Sequence, residues 1–237
     1  YGSRSDCSEM TGLARDWWDK PFRVLVTLGE SITGGSSASS YDSAWPSVLA
    51  EAITAVQRRP IRLVNPSVGG NVISQKVAAY EASGRPATNE HVREVIDARP
   101  DLLVISAALN DARAGTPIAL FRNELEVIIT EIRSGCDPLI VLLGPYFILN
   151  FEIGGQLFGQ ATPMVLAEYA RAVAAVSEDM KCLYCDIYQG YGRAPWTLHS
   201  DGLHANDLGH RVVANSIFQT IAQNCSGLSK GFPRWGE

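Results

Sequence analysis

Five short segments of the chain are hydrophobic at almost every position and rich in β-branched and aliphatic residues. Strands with one face in water alternate hydrophobic and polar residues, whereas strands buried on both faces of a parallel sheet do not. The pattern therefore predicts five buried parallel strands, at residues 23–28, 61–65, 102–106, 139–143 and 183–187.

Stretches with helical periodicity separate these segments. Apolar residues recur at intervals of three and four positions in residues 45–56 and in four later stretches. Two of the later stretches begin with Thr-Pro, which suits a helix start because Thr caps free N–H groups and Pro fits the first turn. The later helices are predicted at residues 89–98, after Thr116-Pro117, after Thr162-Pro163, and from Asn206 or Asp207 with Leu208, Val212, Ile217 and Ile221 buried.

The alternation of strands and helices predicts the fold class. Parallel strands need long crossover connections, which the helices supply. We expect an α/β protein, a three-layer α/β/α sandwich around a five-stranded parallel sheet with the flavodoxin-like order 2-1-3-4-5. Because no repeat or long linker interrupts the pattern, residues 1–237 are predicted to form a single domain with a core at about residues 22–222.

Composition and charge narrow the classes of function. The chain has 237 residues and a formal net charge of −5, without a block of Lys or Arg. The net negative charge of the protein would repel the phosphate backbone of a nucleic acid, so we expect no nucleic-acid partner. The most apolar stretch is interrupted by Gly144-Pro145 and is shorter than the roughly 20 residues that a membrane helix needs. We therefore predict no membrane span.

The five cysteines favour neither a metal centre nor a redox centre. Cys182 and Cys185 form a C-x-x-C pair, but no second pair completes a zinc ribbon, so we interpret them as structural. We expect no metal and no cofactor. The odd number of cysteines slightly favours the cytoplasm, while a removed signal peptide is also compatible with the sequence, so the compartment stays open.

Unusual polar or glycine-rich segments follow the first three predicted strands, and a fourth precedes the last helix. They should meet at one edge of the sheet, because ligands bind outside the carboxyl ends of parallel strands. Ser31 lies in a glycine-rich turn, where an exposed hydroxyl suits a nucleophile. Gly70 and Asn110 can offer N–H donors to a developing negative charge. Asp201 precedes His204 by three residues, a spacing that lets the carboxylate orient the imidazole.

Each segment alone also has an ordinary structural explanation. The first three are compatible with turns that need glycine or that Asn and Asp cap, and the fourth with a solvated loop before a capped helix. A metallohydrolase is another alternative, but no acidic pair at the other strand ends completes a two-metal site. The candidate metal ligands of such an enzyme are His199, Asp201, His204, Asp207 and His210.

Taken together, in this order and at these places in the fold, the four segments resemble the SGNH (GDSL-type) hydrolase superfamily of esterases and lipases over nearly the whole chain. The resemblance implies that Ser31 is the nucleophile, His204 the general base and Asp201 its orienting partner. It implies that the oxyanion donors are the backbone N–H groups of Ser31 and Gly70 and the side-chain amide of Asn110. It also implies the flavodoxin-like fold and a reaction without metal.

Two residues depart from the family pattern. The first block usually reads Gly-Asp-Ser, but Glu30 stands in place of the Asp. We expect Glu30 to support the site by hydrogen bonding to nearby backbone. The third block usually has Gly two residues before the Asn, where this chain has Ala108. Its methyl group is expected to narrow the space there and to shape the acyl pocket.

The function that these inferences favour is hydrolysis of carboxylic esters through an acyl-enzyme. We expect the substrates to be short-chain acyl esters, with O-acetylated carbohydrate as a candidate. The sequence has no long exposed apolar helix of the kind that forms the lid of an interfacial lipase. Residues 146–162, rich in aromatic residues and glycine, should overhang the site. The alternatives are a lysophospholipase or thioesterase with a longer acyl preference and, from another class, a non-catalytic glycan-binding relative. The expected partner is a small-molecule or carbohydrate ester, and the sequence leaves a homo-oligomer open.

Overall fold

The computed structural model describes residues 15–230, and Cys7 lies outside that range. In this range five strands form one parallel sheet in the order β2-β1-β3-β4-β5, which confirms the predicted strand order. The strands are β1 (Val24–Gly29), β2 (Arg62–Val64), β3 (Leu102–Ser106), β4 (Leu139–Leu143) and β5 (Leu183–Cys185). Strands β3 and β4 are buried at every position, as their continuous hydrophobicity predicts.

Helices connect the strands. They are α1 (Trp45–Gln57), α2 (Ala79–Ser83), α3 (Val92–Ala98), α4 (Ala108–Ala114), α5 (Ile118–Gly135), α6 (Gly155–Phe158), α7 (Pro163–Asp179), α8 (Ile187–Tyr191) and α9 (Asp207–Asn224). Helix α1 packs on α9, whereas α3 and α7 both pack on α5, so helical layers cover the two faces of the sheet. This arrangement confirms the three-layer α/β/α sandwich.

One predicted helix start needs correction. Helix α5 begins at Ile118, and Thr116 does not cap it, because its hydroxyl donates a hydrogen bond to Oδ1 of Asp111 at 2.8 Å.

The last strand and the last helix also differ from the prediction. The last strand ends at Cys185 rather than at residue 187, because the Asp186 side chain accepts a hydrogen bond from the Gln189 N–H and starts helix α8 there. Leu208 is 49% exposed and Val212 is only partly buried, although both were predicted to be buried. The buried face of α9 is in phase with His210 instead, and it holds His210, Val213, Ile217 and Ile221.

The C-x-x-C pair lies in the core at β5. Cys182 and Cys185 are buried free thiols, and burial raises the pKa of each to about 11. Thiolates are therefore disfavoured at both positions. Within residues 15–230, no helix combines the length and the hydropathy needed to cross a membrane.

Candidate active site

The first strand brings Ser31 to the edge of the sheet. At Gly29, the last residue of β1, a Cβ would lie 2.3 Å from the carbonyl oxygen of Ser106 on β3, so only glycine fits. The chain then turns at once, with the Gly34 N–H donating to the Glu30 carbonyl at 2.8 Å. Ser31 therefore sits in a tight turn at the carboxyl end of β1, next to the central strand.

Ser31, His204 and Asp201 form a continuous chain of hydrogen bonds. Nε2 of His204 lies 3.0 Å from Oγ of Ser31, and Nδ1 lies 2.7 Å from Oδ2 of Asp201. An ionised carboxylate only accepts hydrogen bonds, so Nδ1 carries the ring proton and the lone pair of Nε2 faces the serine hydroxyl. Such an arrangement allows an imidazole to remove the proton of a serine that attacks a carbonyl.

The Asp201 carboxylate is held in one orientation and stays ionised. Its Oδ1 accepts hydrogen bonds from the backbone N–H groups of Leu203 at 2.8 Å and His204 at 2.9 Å. Partial burial opposes the charge, but these bonds and the one from the His204 ring outweigh it and hold the pKa of Asp201 below its usual range. The three-residue spacing thus makes a turn in which one carboxylate fixes both its own position and that of the imidazole.

The segment between β4 and α7 supports the Asp201 turn from the other side. The backbone N–H groups of Leu149 and Asn150 donate to the Gly202 carbonyl at 2.8 and 3.0 Å, and Nδ2 of Asn150 donates to the Asp201 carbonyl at 3.0 Å. A Cβ at Gly202 would lie 3.1 Å from Cβ of Asn150, and its φ of +71° also favours glycine. The segment therefore lies beside the site, where the sequence predicts it.

Gly70 and Asn110 line the same pocket as Ser31. Asn110 lies in helix α4 rather than in a turn, and its Nδ2 donates to the Asn71 carbonyl at 2.9 Å. An amide nitrogen carries two hydrogens, so one remains for a ligand. Gly70 has a φ of +75°, and a Cβ at Gly69 would lie 3.4 Å from Cβ of Ser31. The two glycines therefore bring the backbone close to the serine.

Arg113 was not predicted from the sequence, although it contacts two separate parts of the site. It is 4% exposed, and its Nη1 donates to Oδ1 of Asn110 at 3.3 Å. Its Nη2 donates to the Ile153 carbonyl, and the guanidinium lies 5.2 Å from the ring centroid of Phe158. Arg113 thus joins the overhanging segment to the Asn110 amide. The available signal was an arginine one helical turn after Asn110, on the same face of α4.

The two departures from the family pattern lie in different surroundings. Glu30 is 2% exposed, and its Oε1 accepts the backbone N–H of Asn110 at 3.1 Å, which is the supporting contact that the sequence predicts. Burial raises the pKa of Glu30 to about 8, so the carboxyl group is largely protonated at neutral pH. Ala108 is buried at the start of α4 and is not among the residues that line the pocket, so its methyl group does not shape the pocket as expected.

The histidine-rich segment is not arranged as a metal site. His210 is fully buried, and its Nδ1 lies 3.2 Å from the Trp45 N–H while its Nε2 lies 3.2 Å from the Ser36 carbonyl. Burial lowers the pKa of His210, consistent with a neutral ring that bridges two backbone groups. Asp207 accepts hydrogen bonds from the N–H and hydroxyl of Ser39. Across the part of the chain that the structure describes, no group of three His, Cys, Asp or Glu residues is placed to hold a metal ion.

The pocket in front of Ser31 has a volume of about 400 Å³. This lies toward the small end of the range for ligand pockets, which is roughly 300–1,000 Å³. Its lining mixes hydrogen-bonding and apolar groups. The residues that line it are Ser31, Gly69, Gly70, Ser83, Arg85, Asn110, Arg113, Ile153, Gly154, Phe158, Leu203 and His204.

Solved structures with the same fold include several hydrolases. TesA matches with a TM-score of 0.64 and 20% identity over 84% of this chain and 98% of its own. A lipase/acylhydrolase from Enterococcus faecalis matches with 0.66 and 22% over 84% and 95%. A variant of Axe2, described as an acetylxylan esterase from Geobacillus stearothermophilus, matches with 0.63 and 18% over 86% and 95%. At these identities the likeness shows the fold.

Comparison with curated protein sequences gives no match. A family model, the GDSL-like Lipase/Acylhydrolase family, matches residues 27–212. That range contains all four segments that converge on the pocket and most of the described chain. The chain therefore belongs to the GDSL-like lipase/acylhydrolase family, and it is a carboxylic ester hydrolase of the SGNH type.

Proposed function

We propose that the protein hydrolyses short-chain acyl esters, with O-acetylated carbohydrate as the favoured class of substrate, through an acyl-enzyme on Ser31. The observation that carries this proposal is the unbroken hydrogen-bonded chain from Ser31 through His204 to Asp201, which opens onto a pocket of about 400 Å³.

In the proposed first step, Nε2 of His204 takes the proton of the Ser31 hydroxyl as Oγ attacks the ester carbonyl carbon. Negative charge develops on the carbonyl oxygen, where the free N–H of Asn110 and the backbone N–H groups of Ser31 and Gly70 would stabilise it. A single donor of this kind is worth roughly 10²–10³ in turnover. The ionised Asp201 stabilises the imidazolium that forms meanwhile.

In the proposed second step, His204 passes its proton to the leaving alcohol, and the bond between the carbonyl carbon and that alcohol breaks. Water then attacks the acyl-enzyme, with His204 again accepting the proton, and the carboxylic acid leaves as Ser31 regains its hydrogen.

The size and lining of the pocket support short acyl groups. The volume is small, and two arginines, two serines and an asparagine occupy part of the wall. Ile153, Phe158 and Leu203 supply apolar surface, enough to contact a small acyl group or one face of a sugar ring. Among solved structures with this fold, Axe2 is described as an acetylxylan esterase, which supports the carbohydrate part of the proposal.

The test is a series of p-nitrophenyl esters from acetate to dodecanoate, assayed beside acetylated xylo-oligosaccharides. We expect kcat/KM to be highest for chains of about two to four carbons and to fall as each further methylene exceeds the pocket. A maximum at about eight carbons or more would instead support the longer-chain lysophospholipase or thioesterase. No turnover of any ester by folded protein would support the non-catalytic relative.

A further inference from the structure

Two arginines line the pocket, Arg85 and Arg113, and neither forms an ion pair among residues 15–230. The guanidinium of Arg113 donates hydrogen bonds to the Asn110 side chain and the Ile153 carbonyl, whereas that of Arg85 has no hydrogen-bond partner within the same residues. None of the described carboxylates lines the pocket. A chain with a net charge of −5 therefore presents a locally cationic wall beside its nucleophile.

The backbone that carries Arg85 is fixed by a compact turn. The Ser83 hydroxyl donates to the Tyr80 carbonyl at 2.7 Å and accepts the Arg85 N–H at 3.2 Å. Gly84 between them has a φ of +59° and ends helix α2. The turn thus presents the arginine to the pocket from a defined position.

The stem of Arg85 runs close to one of the proposed oxyanion donors. A Cβ placed on Gly70 would lie 3.7 Å from Cγ of Arg85. The guanidinium carbon lies three bonds beyond Cγ, and Arg85 lines the same pocket as Ser31, so its side chain borders the space that an ester would occupy. A guanidinium binds carboxylates and phosphates through paired N–H groups, and it is exposed enough here to do so.

From these contacts we infer that Arg85 forms an anion subsite, and that the preferred substrates are esters carrying a negatively charged group near the scissile bond. This inference rests on the proposed function and specifies its substrate class. For O-acetylated carbohydrate it selects an acidic sugar over a neutral one. The charged group belongs either to the acyl chain or to the alcohol, and the experiment separates these two cases.

The test measures kcat/KM for two matched pairs of esters. For the acyl side, mono(4-nitrophenyl) adipate is compared with 4-nitrophenyl hexanoate, and for the alcohol side 4-acetoxybenzoate is compared with its methyl ester. Each anionic-to-neutral ratio is measured for the wild type, Arg85→Gln and Arg85→Lys. Comparing ratios between variants cancels the intrinsic reactivity of the esters.

In at least one pair, Arg85→Gln should lower the ratio by about threefold to tenfold, as expected for an exposed charge-assisted contact. Arg85→Lys should keep part of the preference, and added salt should reduce it in the wild type because the charge is solvent-accessible. Arg93→Gln removes an equal charge from the exposed face of α3, so it controls for the net charge of the protein.

Ratios that are unchanged in Arg85→Gln for both pairs, or that fall equally in Arg93→Gln, would overturn the anion subsite. Turnover of the neutral esters is read in the same assays and reports on the proposed esterase function separately. The two hypotheses can therefore fail independently.

Discussion

The contact between Arg113 and Asn110 allows a quantitative prediction about oxyanion stabilisation. Nη1 of Arg113 holds Oδ1 of Asn110 at 3.3 Å, while Nδ2 of Asn110 is held by the Asn71 carbonyl. Replacing Arg113 by Met removes the first contact and leaves the second, so the amide loses one of its two orienting bonds. A hydrogen bond to a charged group contributes about 1.5–3 kcal/mol. We therefore expect kcat for p-nitrophenyl acetate to fall by roughly tenfold to hundredfold, with little change in KM.

A double-mutant cycle separates this positioning role from a general structural one. Asn110→Ala alone should cost roughly 10²–10³ in kcat, because it removes a whole donor. If Arg113 acts through the Asn110 amide, Arg113→Met should then cost less than about threefold when added to Asn110→Ala. Urea unfolding of all four proteins reports the stability that Arg113 contributes through the Ile153 carbonyl. Losses in kcat that simply multiply in the double variant would mean that Arg113 does not act through the Asn110 amide.

Two further predictions concern stability. Burial raises the pKa of Glu30 to about 8 in the folded protein, above its ordinary value of 4.5. Between these pH values the folded state binds more protons than the unfolded state. The free energy of unfolding should therefore fall as pH rises through this range, by at most about 1.4 kcal/mol per pH unit. Glu30→Gln should show a smaller fall between pH 5 and 8 in urea titrations, and identical pH profiles would contradict a buried neutral carboxyl. His210→Leu should lose about 2 kcal/mol or more, because the Trp45 N–H and the Ser36 carbonyl lose their partner in the core. A loss below about 0.5 kcal/mol, the range of ordinary surface substitutions, would mean that the bridge does not stabilise the fold.

The strands were predictable because their environment is uniform. Strands buried on both faces need apolar residues at every position, so β3 and β4 are marked by composition alone. Helix starts with a side-chain cap were also visible, as at Thr162 and Asn206. The short helices α4 and α8 were not predicted, since a single turn or two depends on tertiary contacts more than on a local pattern.

Within the site, the residues with a distinctive local sequence were predictable, and those placed by distant contacts were not. Ser31 and His204 lie in distinctive local sequences, and the topology of a parallel sheet brings such segments together. The positions of Arg113 and His210 depend instead on contacts with distant segments, which the local sequence does not encode. A histidine on the apolar face of a helix breaks the hydrophobic pattern, and only the folded structure shows that two backbone groups satisfy its ring.

The proposed mechanism requires the Ser31 hydroxyl, activated by His204, to be the nucleophile, and covalent labelling can identify that nucleophile. The wild type, Ser31→Ala, His204→Ala and the control Ser36→Ala are treated with diethyl 4-nitrophenyl phosphate, and the labelled peptide is identified by mass spectrometry. We expect a single adduct on Oγ of Ser31, formed at the normal rate in Ser36→Ala, roughly a hundredfold more slowly in His204→Ala, and not at all in Ser31→Ala. An adduct on another residue, or labelling and ester turnover that persist in Ser31→Ala, would contradict it.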